Sequence, residues 1–324
     1  MVLSVGNSSM RRGVIAACVS ATLFGVSTPL AKLLLGKTGP WMLAALLYLG
    51  AGIGLLAYRT ISRAARVRLS AQDRGIFAAA TFFGGIGAPV LLMFGISQMP
   101  ATGASLLLNS EAVFTVLLAW LIFKERVGRR LFLGITAIVA GGLLVTVPGS
   151  ADLGSGWAPI AVVAACLCWA LDNNLTQRIS TTDASWLAMM KGLIAGTTNL
   201  VIAFLLGSHL PSPATTAAGL VIGFGAYGLS LMLFVMALRQ LGTARTGAYF
   251  SVAPFLGALV AVALGEPITA ALILAGALMA LGVWLHLSEH HEHEHVHAAT
   301  ELGVPQIRHT HPHYPDTEHR HSHD

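Results

Sequence analysis

The feature that most constrains this chain is a long internal repeat. Residues 100–142 read PATGASLLLNSEAVFTVLLAWLIFKERVGRRLFLGITAIVAGG, and residues 241–282 read LGTARTGAYFSVAPFLGALVAVALGEPITAALILAGALMALG. With Glu125 placed over Glu266, each copy is an apolar run, a polar turn that carries the glutamate, and a second apolar run. The same gapless register aligns Gly87 with Gly228, Thr102 with Thr243, Ser110 with Ser251, Phe114 with Phe255 and Gly141 with Gly282. Because an internal repeat determines architecture before local detail does, we predict two related halves.

Composition places both halves in a lipid bilayer. The 324 residues are 55% hydrophobic and only 10% charged, with a mean hydropathy of +0.73, whereas a soluble domain carries about 25% charged residues. A spanning helix needs about 20 mostly apolar residues, and lipid offers no partner for unpaired backbone groups. The predicted fold class is an all-α integral membrane protein with ten transmembrane helices. The apolar runs lie near residues 14–35, 41–58, 76–97, 103–123, 131–148, 157–177, 186–206, 217–238, 244–264 and 270–287.

The first apolar run is predicted to remain as an anchor. Arg11 and Arg12 precede a long span, and no small-residue cleavage pattern ends a short apolar core. The cysteines, Cys18, Cys166 and Cys168, lie inside spans at spacings that suit neither a disulfide framework nor a zinc site. We interpret them as small packing residues.

The loops predict that the second half is inverted relative to the first. With the N-terminus in the cytoplasm, nearly every Lys and Arg falls in a cytoplasmic loop, as the positive-inside rule requires. The turn KERVGRR after the fourth span is basic, whereas its counterpart GEPIT after the ninth span has no positive charge. Inverted five-helix repeats are typical of secondary transporters, whose substrate path lies at the interface of the repeats. The predicted organisation is a cytoplasmic N-terminus (1–12), a first repeat (13–148), a periplasmic linker (149–156), a second repeat (157–287) and a disordered His-rich cytoplasmic tail (288–324).

Three stretches resemble the EamA family of the drug/metabolite transporter superfamily. They are ATLFGVSTPLAKLLL in the first span, SEAVFTVLLAWLIFKERV in the fourth and SVAPFLGALVAVALGEP in the ninth. The last two are similar to the family's Glu-Pro-Val-Phe stretch that leads to Gly-Glu-Arg. The resemblance implies ten helices, two cytoplasmic termini, and export or exchange of small solutes.

Polar residues within the spans are the candidates for a substrate or coupling path. The candidates are Glu111, Asp172, Asn173, Asn109, Lys32 and Lys191. A carboxylate at the bilayer centre costs about 2.5–3.5 kcal/mol on insertion scales, so it should face protein or a wet cavity. Glu111 either couples transport to a proton or cation, or packs as a buried hydrogen-bonded group. Asp172 either lines the path or pairs with Lys191, and Lys32 either lines the path or extends towards the outer interface.

Prolines and glutamates mark breaks and turns. Pro29, Pro89 and Pro254 lie within spans, where proline removes a backbone donor and kinks a helix, so we predict kinks with either a gating or a purely structural role. Glu125 and Glu266 end their spans, and we expect them to cap turns or to meet nearby basic groups.

From Ser288 the sequence becomes an alternation of histidine with acidic and polar residues. It has no apolar periodicity and is predicted to be disordered. Imidazole and carboxylate groups suit Ni, Co, Zn or Cu(II). The predicted metal ligands are His290, His291, His293, His295, His297, His309, His311, His313, His319, His321 and His323. The tail either collects ions for export, senses metal or pH, or binds metal incidentally.

The sequence therefore predicts a secondary transporter of a bacterial inner membrane that exports small metabolites or amino-acid-like solutes by alternating access. The alternative is a divalent-metal (Ni, Co or Zn) efflux carrier that uses the tail as collector or sensor, although the spans carry no His except His286, at the very end of the tenth, to pass an ion onward. A metal-sensing receptor without solute flux is a third hypothesis. An enzyme is not expected, because the spans contain neither a Gly-x-Ser-x-Gly nor a His-Glu-x-x-His motif.

The expected partners are the lipid bilayer, a small solute and, for the alternative, a divalent metal. No cofactor is required, apart from Ni, Co, Zn or Cu ions that the tail would bind. A homodimer is left open. Nucleic acid is not expected despite the net charge of +5, because the basic residues lie in loops beside the membrane.

Overall fold

The structure, a computed structural model, describes residues 3–123, 129–146, 156–179, 182–241, 246, 249–287, 292–296 and 308–312. The helices of the first half are α1 (Leu3–Leu35), α2 (Pro40–Ile61), α3 (Ala71–Ala80), α4 (Ala88–Ser97), α5 (Ala101–Leu107), α6 (Ser110–Phe123) and α7 (Arg129–Thr146). Those of the second half are α8 (Ala158–Arg178), α9 (Ala184–Leu205), α10 (Pro213–Gly223), α11 (Ser230–Leu241), α12 (Ala253–Ala263) and α13 (Ala270–Leu287). Two π-helical segments, π1 (Thr81–Gly87) and π2 (Phe224–Leu229), join α3 to α4 and α10 to α11.

Several helices begin at residues that satisfy their free backbone N–H groups. The side chains of Ser70, Asp183 and Ser212 each accept a hydrogen bond from the first turn of the helix that follows. Pro40 and Pro213 occupy the first turn of α2 and α10, where a missing N–H costs nothing.

Six helices are long and apolar enough to cross a membrane, and each coincides with a predicted span. They are Arg11–Leu35, Pro40–Ile61, Ala71–Ser97, Ala158–Thr176, Ala184–Leu205 and Pro213–Ala237. Shorter apolar helices at Phe132–Leu144, Ala253–Ala263 and Ala270–Leu285 occupy the places of the fifth, ninth and tenth spans. The fourth span is divided between α5 and α6. A helical membrane protein is thus confirmed, and the count of ten crossings stays a prediction.

The helices pack in pairs that relate one half to the other. α2 packs along its counterpart α9, and α7 packs along its counterpart α13. α1 packs against α11, while α8, the counterpart of α1, packs against α4, the counterpart of α11. Such an exchange of partners is what a twofold relation between two repeats produces. The main hydrophobic core accordingly draws residues from both halves.

Glycines allow α2 and α9 to approach closely. A Cβ atom added to Gly52 would lie 2.5 Å from the backbone N of Leu193, and one added to Gly192 would lie 2.5 Å from the backbone N of Gly52. Gly50, Gly52 and Gly54 are packing residues, since a side chain at any of them would collide with a neighbouring helix.

The third span of each half is π-helical at an equivalent place. Under the repeat register, residues 81–87 align with residues 222–228, and the observed segments are 81–87 and 224–229. Pro89 and Pro254 lie in the first turns of α4 and α12, so they begin helical segments, whereas Pro29 lies inside α1. π-Helical turns occur frequently at functional sites, and the gating role of the prolines stays a prediction.

The ends of α2 and α9 are joined by a polar cluster around Arg59. The buried guanidinium of Arg59 donates to Asp183 Oδ1 at 2.6 Å and to the carbonyl of Ala65 at 2.6 Å. Ser185 Oγ donates to the same carboxylate oxygen at 2.6 Å. Burial opposes ionisation of Asp183, but the bonds from Ser185, from the N–H of Trp186 and from Arg59 outweigh it and lower the pKa of this carboxyl.

Acidification should therefore loosen this end of the bundle. A carboxyl whose pKa is lowered in the folded chain contributes stability above its ordinary pKa of about 3.9, and that contribution is lost as the pH falls through the folded value. We expect Asp183→Asn to lower the melting temperature in detergent at pH 7, by an amount equivalent to about 0.5–1 kcal/mol for a half-exposed pair. The difference in melting temperature between the Asp183→Asn variant and the unaltered protein should disappear below pH 4. Asp73→Asn is the control, because this carboxylate is bonded to Ser70 rather than to an arginine. If Asp183→Asn lowered the melting temperature equally at pH 7 and at pH 3, the stabilising role of the charged Asp183 would be contradicted.

The His-rich tail contains two short strands, β1 (Glu292–Val296) and β2 (Arg308–Pro312). They pair antiparallel, with His293 opposite His311 and His295 opposite His309. Alternation of histidine with other residues has the period of two that a strand requires. Disorder of the tail as a whole stays a prediction. The remainder of the tail, with its other predicted ligands, lies outside the described residues.

Candidate substrate cavity

A cavity lies between the two halves, near the middle of the bundle. Its volume is about 80 Å³, several times the roughly 10–15 Å³ that one water molecule needs. The polar side chains on its wall are those of Glu111, Asp172, Asn173, Lys191 and Ser230. The aromatic side chains on its wall are those of Phe24, Tyr48, Trp169, Tyr227, Phe234 and Phe250. The cavity thus combines ionisable groups with an aromatic wall, as small-molecule sites do.

Asp172 and Lys191 form a buried ion pair in this wall. Lys191 Nζ lies 2.7 Å from Asp172 Oδ1 and 2.8 Å from Oδ2, and the two side chains are 5% and 8% exposed. Thr176 Oγ1 donates to Asp172 Oδ1 at 2.9 Å. Gly84 leaves the room for this carboxylate, because a side chain there would coincide with Asp172. The pairing with Lys191 that was left open for Asp172 is thus observed, and both residues also lie on the cavity wall.

Glu111 stands apart from that pair. It lies in the first turn of α6, just after the break between α5 and α6, and is half-buried. Asn173 Nδ2 donates to Glu111 Oε1 at 2.6 Å. Among the side chains that the structure describes, no lysine or arginine forms an ion pair with Glu111. It is therefore the carboxylate on the cavity wall whose charge the described residues leave uncompensated.

The aromatic wall joins the two halves. Phe24 of the first half and Trp169 of the second meet edge to face with their ring centroids 5.8 Å apart. Phe24 also contacts Tyr227 and Phe250, at centroid distances of 6.0 and 5.5 Å. Tyr48 packs against Tyr227 at 5.2 Å.

Carbonyl groups of π1 are satisfied by side chains from other helices. Tyr48 Oη donates to the carbonyl of Gly84 at 2.5 Å, and Trp169 Nε1 donates to the same carbonyl at 3.2 Å. Asn199 Nδ2 donates to the carbonyl of Gly85 at 3.2 Å. Irregular backbone inside a membrane protein is tolerated where such partners exist, so these three side chains hold π1 in place beside the cavity.

Two of the predicted path residues lie away from the cavity. Asn109 is buried at the break between α5 and α6, where its Nδ2 donates to the carbonyl of Leu106 at 3.0 Å. Lys32 Nζ donates to the carbonyls of Ile96 and Met99, at 2.6 and 2.8 Å. Lys32 therefore caps the end of α4 and does not line the cavity, since neither it nor Asn109 is among the cavity residues.

Sequence reasoning missed Tyr48, Tyr227 and Phe234. An aromatic residue inside an apolar run carries no periodic signal that separates a cavity wall from a lipid-facing surface. One signal was available: a tyrosine hydroxyl in the middle of a span needs a hydrogen-bond partner, which points to an interior position.

Glu266 connects the two halves at one end of the bundle. Its carboxylate oxygens accept hydrogen bonds from the backbone N–H groups of Ala101 and Thr102, each at 2.7 Å. The predicted capping role of Glu266 is thus observed, and the helix that it caps is α5 of the other half. Glu125 lies outside the described residues. The contact places the loop after the third span and the loop after the ninth span at the same end. Repeats of the same orientation would put these loops at opposite ends, so the contact favours the inverted arrangement.

Replacing Glu266 with Gln should loosen the contact between these two loops. A charge-assisted hydrogen bond contributes about 1.5–3 kcal/mol, and Glu266→Gln replaces one acceptor oxygen by an amide that faces a backbone N–H. The probe is a Ser97→Cys substitution at the end of α4 in a protein without its native cysteines. We expect a membrane-impermeant maleimide to react with this cysteine about tenfold faster when Glu266→Gln is also present than when it is not. Thr269→Ala is the matched control, because Thr269 caps the helix of its own half at Leu272. Equal labelling rates in the two variants would show that Glu266 does not hold the ends together.

The described part of the chain contains no group of three or more His, Cys, Asp or Glu side chains that could hold a metal ion. The side chains of the tail lie outside that part.

Fold and cavity together define a membrane transport protein built from two related helical repeats. A sequence profile described as the EamA-like transporter family matches residues 11–147 and again residues 156–288. The chain belongs to this family and hence to the drug/metabolite transporter superfamily.

Similar proteins agree with this assignment. An "Uncharacterized transporter" of Methanothermobacter thermautotrophicus is 29% identical over 299 residues, which cover 85% of this chain and 87% of that protein. The "Uncharacterized transporter YyaM" of Bacillus subtilis is 23% identical over 206 residues, which cover 61% and 68% of the two chains. A solved crystal structure is similar in fold, with a TM-score of 0.64 at 18% identity over 86% of this chain and 95% of the other.

Proposed function

We propose that this transporter exports small amino-acid-like metabolites by alternating access of the cavity to the two sides of a bacterial inner membrane, with both termini in the cytoplasm. The observation that carries the proposal is the cavity between the repeats, because it offers an acidic group, a basic group and an aromatic wall together. An ammonium group fits Glu111, a carboxylate fits Lys191, and an apolar side chain fits the rings.

The contacts at the outer end support alternating access. Glu266 binds the start of α5, and Lys32 binds the end of α4, so the ends of several helices from both halves are held together on the side that the loop charges assign to the outside. A carrier needs a closed end of this kind in one state and its release in the other.

Counterflow in proteoliposomes tests the cargo. Purified protein is reconstituted, the vesicles are loaded with an unlabelled amino acid, and uptake of the labelled compound is measured across a panel of amino acids. We expect at least one amino acid to accumulate above the level of protein-free liposomes and to be competed by close analogues. If no amino acid exchanges while divalent metals do, the proposal fails.

A second candidate function, efflux of Ni, Co or Zn, is favoured by the density of histidines in the tail. Everted vesicles separate the two candidates. Metal uptake that disappears when the chain is truncated at Ser288 would favour the metal carrier, whereas amino-acid flux unchanged by the truncation would favour the metabolite exporter. Tail-dependent signalling without any flux would indicate a receptor. A homodimer also stays a proposal, and crosslinking in native membranes tests it.

A further inference from the structure

Helix α2 and its counterpart α9 end in the same kind of cap, but with different residues at its central position. In both caps, an N–H beyond the helix donates back to the carbonyl five residues earlier. The bonds run from Ala64 to Arg59 at 3.0 Å and from Ser208 to Ala203 at 2.9 Å. The residue just before each donor has a positive φ, 79° at Gly207 and 50° at Arg63. Glycine adopts this left-handed conformation without steric cost, so the second half has the favoured residue there and the first half has an arginine.

Arg63 is the one non-glycine residue with a positive φ in the described part of the chain. Its side chain is exposed, so packing inside the bundle does not explain why an arginine occupies this position. An unfavourable backbone conformation that persists is a reason to look for a function that requires the residue. We therefore looked for what the exposed guanidinium could bind.

The loop that Arg63 begins, residues 62–70, turns two more arginines outward. Arg66 and Arg68 are exposed, and they alternate with Val67 and Leu69, which are half-buried. Leu69 packs against a buried apolar cluster formed with α3 and α9. Because successive side chains of an extended chain point to opposite sides, burial of Val67 and Leu69 leaves Arg66 and Arg68 together on the outer side.

The backbone of this loop is fixed at both ends, and its charges have no described partner. The carbonyl of Ala65 accepts a hydrogen bond from buried Arg59 at 2.6 Å, and Ser70 caps the start of α3. Among the described residues, no carboxylate forms an ion pair with an arginine of the loop. Asp73, one turn into α3, accepts a hydrogen bond from Ser70 instead. Three positive charges within six residues are thus held outward on an ordered loop.

The loop lies where the membrane surface should be. It joins two helices of membrane-crossing length, Pro40–Ile61 and Ala71–Ser97. Ile61 and Tyr58, at the end of the first of them, are 83% and 47% exposed, as residues that face lipid are. Tyrosine is enriched at the boundary between the apolar core of a bilayer and its headgroups. The arginines follow these residues directly, so they lie at the level of the headgroups.

We propose that Arg63, Arg66 and Arg68 form a binding site for the phosphate group of an anionic phospholipid, with Ile61 and Tyr58 against its acyl chains. Guanidinium groups bind phosphate oxygens in a bidentate geometry, and basic clusters immediately beside a span attract anionic lipids. The lipid-facing residues favour a phospholipid over a free phosphate ion. Arginines in loops also set the orientation of a protein during insertion, but that role does not require an arginine with a positive φ. The inference does not depend on which solute the transporter carries.

The test titrates the full-length protein, purified in detergent, with phosphatidylglycerol or with phosphatidylcholine of the same chain length. Native mass spectrometry gives the dissociation constant of the first lipid bound. We expect phosphatidylglycerol to bind at least about tenfold more tightly than phosphatidylcholine, and replacement of Arg63, Arg66 and Arg68 by Gln to remove that preference. The matched control replaces Arg11, Arg12 and Lys37 by Gln, which removes the same charge from exposed positions outside the loop, and it should keep the preference.

Arg63→Gly separates lipid binding from folding. Glycine relieves the positive φ, so the melting temperature in detergent should not fall, while the affinity for phosphatidylglycerol should. A lower melting temperature would show that the arginine serves the fold and would overturn the proposal. It is also overturned if the loop variant and the control variant lose the preference equally, if the unaltered protein does not prefer phosphatidylglycerol, or if millimolar inorganic phosphate displaces the lipid, which would indicate a site for free phosphate.

Discussion

Replacing Glu111 with Gln should abolish gradient-driven transport while the amount of folded protein stays the same. Glutamine has the shape of glutamate and keeps an oxygen that can accept the 2.6 Å hydrogen bond from Asn173, so the packing around α6 should survive. What is lost is the negative charge. Among the described residues Asp172 is compensated by Lys191, so Glu111 is the carboxylate left to bind an ammonium group or a coupling proton.

The variant should affect two kinds of transport differently. If Glu111 takes up a coupling proton, accumulation driven by a pH gradient should fall by at least about tenfold, because a charged hydrogen bond contributes more than about 1.4 kcal/mol. Exchange of labelled for unlabelled solute should then continue. If Glu111 binds the substrate ammonium instead, both accumulation and exchange should fall. Proteoliposomes with a solute identified by counterflow measure both quantities on the same preparation.

Asn173→Ala is the matched control for Glu111→Gln. It removes the same hydrogen bond and leaves the charge, so it should lower the transport rate less than Glu111→Gln does. A purely structural glutamate behaves otherwise: Glu111→Gln and Asn173→Ala would then both reduce the yield of folded protein, and the transport rate per molecule would not change.

The sequence was sufficient to predict a helical membrane protein built from two related repeats. Apolar length alone marks a helix that crosses a membrane, and the gapless repeat together with the movement of basic residues between loops predicts two inverted halves. The contact between Glu266 and the start of α5 agrees with that arrangement. These signals are carried by many residues at once, which is why they are robust to single departures from a pattern.

The contacts within the site were beyond sequence reasoning, because a span that is apolar on all sides does not reveal which face it turns inward. The sequence therefore left Asp172 and Lys191 open as path residues or as an ion pair, and the structure shows the pair, 2.7 Å apart, on the cavity wall. The π-helical segments have no residue signature of their own, although their equivalent positions in the two halves follow from the repeat. The contacts of Lys32 could not be predicted, because its partners are backbone carbonyls, which a sequence does not single out. Its place in a path stays a prediction.

Breaking the ion pair between Asp172 and Lys191 should have the largest effect on stability in this chain. Removal of one partner from a buried pair leaves an uncompensated charge and costs about 3–5 kcal/mol, whereas replacement of both partners by groups of similar volume is often neutral. Lys191→Met and Asp172→Asn should each lower the melting temperature in detergent strongly, and the double variant should recover most of the loss. A double variant that is as unstable as the sum of the single variants would contradict this assignment.

The double variant also decides whether the pair only holds the helices together. If its role is structural, recovered stability should bring recovered transport. If Lys191 receives a substrate carboxylate, as we propose, the double variant should be stable, abundant and inactive, because the positive charge on the cavity wall is gone. Melting temperature and counterflow are measured on one preparation of the double variant. Recovery of the melting temperature without recovery of transport is expected only when the pair takes part in binding.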